Sequence, residues 1–162
     1  MILIINICKE KLHEFEFVKP IENVLKEKKR KFNTKHYSKI IDNDLLADKI
    51  IICGTSLRDN YFLKDLRFFK WLKKFNKPVL GICGGAHIIG LILGYILKTK
   101  REIGLRKINI EKEFLEIKGK RKVYHLHKFY TLPETFNYKN FYTTLFHPEV
   151  RNKELIVNFS NL

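Results

Sequence analysis

Three side chains of this sequence could together break an acyl bond: Cys83, His147 and Glu149. Cys83 closes the apolar run Pro78-Val79-Leu80-Gly81-Ile82 and is followed by Gly84-Gly85-Ala86-His87 and a second apolar run. Strand, tight turn, helix is the natural reading of that pattern. A thiol on such a turn is pushed clear of the sheet with a helix N-terminus behind it. That place favours a thiolate and offers backbone N–H groups to a developing oxyanion. The flanking glycines argue against a merely buried cysteine, because a close-packed core gains nothing from Gly84 and Gly85 whereas a nucleophile turn needs them. Far downstream, Phe146-His147-Pro148-Glu149 supplies a base and a carboxylate two residues apart. On extended backbone both point the same way, so the carboxylate could fix the imidazole tautomer. A cysteine-nucleophile hydrolase is the chemistry this set suggests.

The other candidates are less specific. His87 lies one helical turn past Cys83, near enough to help at the thiol, or it is an ordinary partly buried histidine. His125 and His127 alternate with Leu126, so only one of them is expected to face the site. No ligand spacing among His87, His127 and His147 supports a metal. Cys8, Cys53 and Cys83 show no CxxC or paired spacing, so no zinc site, disulfide framework or cofactor is expected, and Cys8 and Cys53 read as small buried hydrophobes.

The elements that must hold these residues follow from the hydrophobic pattern. Ile2 to Cys8 is a continuous apolar run, as expected of a strand covered on both faces; Lys49 to Gly54, containing Ile50-Ile51-Ile52, is a second buried strand, and Lys77 to Cys83 is the strand that leads to the cysteine. Between them, Phe15 to Arg30 and Tyr61 to Phe75 carry apolar residues at helical spacing, and Gly85 to Leu97 is the helix after the cysteine. Phe32 to Tyr37 is a further possible strand. This alternation predicts an α/β fold, an open and mostly parallel sheet with helices on both faces. After Lys98 the texture changes: Arg106 to Ile110, Phe114 to Lys118 and Arg121 to Leu126 alternate polar and apolar residues, with Gly119-Lys120 as the hairpin turn. A small antiparallel β patch is expected there. Phe141 to Phe146 returns to strand texture, and Glu154 to Phe159 forms a short closing helix.

At 162 residues and 45% hydrophobic, a single domain over 1–162 with a real core is expected. The apolar start runs into Lys9-Glu10-Lys11 without the basic front of a signal peptide, and Ile88 to Leu97 is too short to span a bilayer, so a cytoplasmic protein is the expectation. The net charge is +15, from 32 Lys and Arg against 17 Asp and Glu. No nucleic-acid motif accompanies that excess, so an acidic protein partner is favoured over nucleic acid.

Gly81-Ile82-Cys83-Gly84-Gly85-Ala86-His87 resembles the nucleophile pattern Gly-Ile-Cys-x-Gly-x-Gln of the class I glutamine amidotransferases, and Phe146-His147-Pro148-Glu149 matches that family's Phe-His-Pro-Glu. Arg101-Glu102-Ile103-Gly104, Val123-Tyr124-His125-Leu126-His127 with Leu132-Pro133, and Cys53-Gly54-Thr55-Ser56 are similar to further family segments, in order and at family-like spacing from about Ile50 to Val150. The resemblance implies a flavodoxin-like fold and a Cys83-His147-Glu149 triad. It also implies that Gly54 and Gly84 serve the oxyanion, and that His87 and His127 lie beside the substrate. Two departures stand out. His87 replaces the family's Gln, and Lys128-Phe129-Tyr130 replaces the Asp that usually follows the His127 segment. The implied reaction is hydrolysis of glutamine to glutamate and ammonia, with ammonia delivered to a separate synthetase subunit. In texture the chain is similar to the free-standing glutaminase subunit of GMP synthases. A hydrolase of the same fold acting on a γ-glutamyl compound or peptide, and a catalytically silent regulatory relative, are the alternatives.

Overall fold

A computed structural model describes residues 1–162. β1 (Ile2–Asn6) is wholly buried, and a helical segment follows it from Lys11. That segment widens to a π turn over Glu14–Val18, where the Lys19 amide donates to the Glu14 carbonyl, then tightens into α1 (Lys19–Glu27). Pro20 explains the widening: it has no N–H to return to Glu16, so the α register cannot run through. β2 (Phe32–His36) and β3 (Lys49–Ile52) come next, then β4 (Val79–Ile82) and α2 (Gly84–Ile92). β5 (Lys98–Phe114) and β6 (Ile117–Tyr130) form a long ribbon; β7 (Thr135–Tyr138), β8 (Phe141–Thr144) and α3 (Glu154–Asn161) close the chain.

The main sheet has the order β2-β1-β3-β4-β8-β7. Every neighbouring pair is parallel except β7 with β8. α1 packs with α3 on one face, while α2 packs on the stretch Leu66–Lys73 on the other. Strand order reverses between β1 and β3, and in open α/β sheets ligands bind at such a switch point, beyond the carboxyl ends of the strands. Cys8, Cys53 and Cys83 follow the carboxyl ends of β1, β3 and β4.

Several expectations need correction. Tyr61 to Phe75 is not one α-helix but two 3₁₀ segments, Tyr61–Lys64 and Leu66–Lys73, parted at Asp65. Leu66, Phe69 and Leu72 are three apart, the repeat of a 3₁₀ helix, and Tyr37 Oη donates to Asp65 Oδ2 at 2.8 Å, fixing the break. The helix after Cys83 stops at Ile92 rather than Leu97. Gly94 takes φ +92°, Tyr95 N–H donates to Gly90 O and Gly94 N–H to Leu91 O, a Schellman ending. The antiparallel patch is two long strands, not three short ones. Its turn is at Leu115-Glu116, with φ +48° and +63°. Gly119 instead sits within β6 opposite Ile110, where its φ of +83° absorbs a register shift in the ribbon.

Candidate active site

The turn from β4 into α2 carries Cys83 at φ 47°, ψ −98°. A non-glycine residue in that conformation costs about 1–3 kcal/mol and must be held by its surroundings. Here the Cys83 amide donates to Thr144 O at 2.8 Å and its carbonyl accepts the His87 amide at 3.0 Å, the first bond of α2. α2 can descend onto the sheet only because Gly85 has no side chain: a Cβ there would lie 2.4 Å from the Ile52 carbonyl oxygen. The sheet and the helix together hold the thiol at its sharp turn.

β8 lies parallel beside β4 with Ile82 opposite Thr144, so the residues after Thr144 emerge beside those after Ile82. His147 and Glu149 therefore arrive next to Cys83. His147 Nδ1 and Glu149 Oε1 are 2.7 Å apart, and both side chains are fully buried. The ring is held by Phe17, with centroids 5.2 Å apart, and its backbone amide donates to Tyr124 O at 2.9 Å. Burial opposes charging this imidazole, but the Glu149 carboxylate and the neighbouring Cys83 prevail and hold its pKa well above the usual histidine range. With Nδ1 committed to Glu149, Nε2 is the free nitrogen; it is buried and has no hydrogen-bond partner. The thiol faces the Leu126 carbonyl, 3.7 Å from Sγ.

Gly54, just beyond β3, separates the two groups. A Cβ there would stand 2.6 Å from His147 Cε1 and 3.4 Å from Cys83 Cβ. The amides of Gly54 and Gly84 donate to no protein acceptor. For Gly84 this follows from its place in the first turn of α2, whose N–H groups have no intrahelical partner.

The remaining expected residues border a cavity of about 10 Å³ lined by Cys83, Gly84, His87, His127, Leu126 and Lys128 among others. Leu57, Asn60 and Lys128 also line a larger cleft of about 530 Å³, rimmed by Arg58, Lys64 and Arg101 with no carboxylate in its wall. A cavity of about 770 Å³ lies around Pro78 and Asn140, at the amino ends of β4 and β8 and away from the thiol. His87 Nε2 is 2.8 Å from the Phe129 carbonyl, to which it donates, and Nδ1 is buried without a partner. His125 and His127 do not divide between two faces as expected: both are buried, 1% and 2% exposed, with His125 Nδ1 3.1 Å from His127 Nε2. Residues two apart on a strand share a face, and the intervening Leu126 is the one turned away.

Burial, and behind it the nearby His127, depresses the His87 pKa to about 4. A folded value below the unfolded one, about 6.5, means stability present above that pH and lost as the pH falls toward 4. From His87 alone the loss between about pH 7 and pH 4.5 should be roughly 2–3 kcal/mol. His87→Gln keeps an amide donor for Phe129 O without the titration. Denaturant unfolding of both proteins at the two pH values should show a shallower acid loss in the variant; parallel losses would contradict the assignment.

Sequence reading missed the partners that come from backbone or from distant aromatic packing: the Leu126, Phe129 and Tyr124 carbonyls and Phe17. It also passed over His13, whose Nδ1 is 2.7 Å from buried Asp59 Oδ2. No residue-type pattern announces a carbonyl acceptor.

Comparison with known proteins places the family and the fold. The chain aligns with the class-I glutamine amidotransferase family over residues 12–147, a span that includes Cys83 and His147. A protein of Thermoplasma acidophilum, provisionally described as a GMP synthase subunit, superposes with a TM-score of 0.80 at 20% identity, covering 99% of this chain and 92% of that one. A glutamine amidotransferase of Thermotoga maritima gives 0.61 at 20% identity, covering 99% and 82%. One from Methylobacillus flagellatus gives 0.62 at 15% identity, covering 94% and 72%. At these identities the likeness is one of fold. No curated protein sequence matches significantly. No helix is long and apolar enough to cross a membrane. The extent of the family alignment, the sheet order and the thiol turn lead to one assignment: this chain belongs to the class-I glutamine amidotransferase family.

Proposed function

We propose that the protein is a glutaminase that releases ammonia from the side-chain amide of glutamine for a separate synthetase subunit. The observation that carries this reading is the convergence of a strained cysteine turn and a buried His147–Glu149 pair on the two sides of Gly54. In the proposed reaction the Cys83 thiolate attacks the amide carbon, and the C–N bond breaks as His147 gives its proton to the departing ammonia. Water, deprotonated by the same imidazole, then attacks the thioester carbonyl and returns the thiolate, leaving glutamate. The free amides of Gly54 and Gly84 are suited to the oxyanion, a contribution of about 3 kcal/mol per donor. Glu149 holds the imidazole so that Nε2 faces the reacting atoms. The fold shared with the Thermoplasma protein supports a GMP synthase as the acceptor assembly, which co-purification from native extract would test.

A second reading, hydrolysis of a γ-glutamyl compound, is favoured by the cleft. Arg58, Lys64, Arg101 and Lys128 suit the α-carboxylate, but no carboxylate is present in the wall to receive a free α-ammonium. Ammonia release from glutamine and cleavage of γ-glutamyl peptides, measured side by side with the co-purified partner present, separate the two. Labelling of Cys83 by diazo-oxo-norleucine with no turnover of either would point to another substrate; no labelling with the partner present would favour a silent relative.

Gly54→Ala provides an internal check. Its methyl group meets the His147 ring, and a displacement approaching 1 Å in a catalytic group costs on the order of 100-fold in turnover. Turnover should therefore fall by about that factor with the fold kept, as read by circular dichroism and steady-state kinetics.

A further inference from the structure

Beside the thiol cavity, two strands of the ribbon bring three metal-binding atoms together. Glu102 on β5 is directly opposite His127 on β6, and His125 lies two residues back on the same face. His125 Nδ1 is 3.1 Å from His127 Nε2, which is 3.3 Å from Glu102 Oε2; the third side, His125 Nδ1 to Glu102 Oε2, is 4.0 Å. Ligands bound to zinc at its usual distances and tetrahedral angles stand about 3.3 Å apart. We propose that Glu102, His125 and His127 form a binding site for a divalent transition metal of the zinc type.

The unpaired polar atoms of the cluster support this. Three lone-pair atoms converge, and a neutral imidazole pair can place at most one proton among them if His125 carries its own on Nε2. Glu102 Oε2 is buried and faces both imidazoles. Its one cationic partner is Lys100 Nζ, an ion pair at 3.1 Å from a half-exposed side chain. On the far side of His125, the Glu134 carboxylate lies 3.3 Å from Nε2. A carboxylate behind a histidine is the arrangement that fixes the tautomer of a metal ligand and aims its other nitrogen at the ion. Two imidazoles with one carboxylate select zinc and its neighbours over magnesium or calcium, which prefer oxygen alone.

The site would tie β5 to β6 at Leu126, the residue between the two histidines, whose carbonyl faces the Cys83 thiol. Metal binding would therefore fix the strand that holds the resting thiol. Lys100 is the competitor; its half-exposed side chain is long enough to swing into water when an ion arrives.

The test uses the untagged full chain stripped with a chelator. Zn²⁺ is titrated by calorimetry, and Co²⁺ is added as a spectroscopic probe. One saturating equivalent and the intense visible bands of four-coordinate Co²⁺ are expected. Glu102→Gln, nearly isosteric, should weaken binding by more than the roughly 10–100-fold that loss of an outer partner costs. Lys100→Met should tighten it, and Cys83→Ala should leave it unchanged. No saturable binding to the stripped protein would overturn the proposal. So would wild-type affinity in Glu102→Gln, or loss of binding in Cys83→Ala, which would move the ion to the thiol–imidazole pair. Should Glu102→Gln fail to fold, tighter binding by Lys100→Met with the same Co²⁺ spectrum supports the site, and unchanged binding refutes it.

Discussion

Replacing Cys83 by alanine should lower ammonia release from glutamine by at least about 10⁴-fold, the scale on which loss of a nucleophile acts when its partners remain. The fold should survive. Sγ makes one weak hydrogen bond, to the Leu126 carbonyl, and alanine carries the same Cβ through the same φ of 47° that cysteine does. The main cost is a small cavity, about 1 kcal/mol for a group of this size. Rates measured with any co-purifying subunit present, together with thermal melts of both proteins, test the two halves of the expectation. A variant retaining more than a few per cent of the wild-type rate would remove Cys83 from the reaction. A variant that is inactive and unfolded would show the turn to be structural first.

Glu149→Gln should slow turnover by roughly 10²–10⁴-fold while changing the apparent substrate affinity much less. Glu149 makes its contact with His147 Nδ1, not with the cleft, so the loss falls on proton transfer rather than on binding. A neutral amide can present its NH₂ to Nδ1, which then becomes an acceptor and leaves the proton on Nε2, the wrong tautomer for a base. It also removes the anion that overcomes burial and holds the imidazole pKa high. The variant's histidine should titrate lower than that of the wild type, which NMR of ring-labelled protein would follow. Raised pKa in the folded state means stability present below the unfolded value and lost as pH climbs through the folded one. The wild type should therefore lose stability on the alkaline side, where the variant changes less. Equal turnover in the two proteins would exclude Glu149 from the mechanism.

Much of the scaffold is legible in the chain. β1, β3 and β4 are apolar apart from Asn6 and Lys49 at their ends because both their faces are covered, and such runs need no knowledge of their neighbours to be recognised. The cysteine turn is legible because glycines crowd around one thiol, although the structure shows that Gly85 is needed for packing as well, a Cβ there meeting the Ile52 carbonyl. The ribbon is less so. Gly119 carries the strongest local turn signal, yet the chain reverses at Leu115-Glu116, because the cross-strand register and not local propensity chooses which residues take the left-handed strain. The stretch from Tyr61 reads as one α-helix because a period of three and one of 3.6 differ little over so few residues.

The letters of the chain alone name the candidate reacting groups, their order and the kind of sheet that carries them, since these depend on residue type and short-range pattern. Tertiary structure alone decided what each group touches: the Leu126 carbonyl at the thiol, the Phe129 carbonyl at His87, Phe17 against the His147 ring, and the closure of Glu102 with His125 and His127. Those contacts depend on strand register and on backbone atoms common to every residue, so they leave no mark in one chain's letters. They arise only when β8 aligns with β4, and β5 with β6, to within one residue.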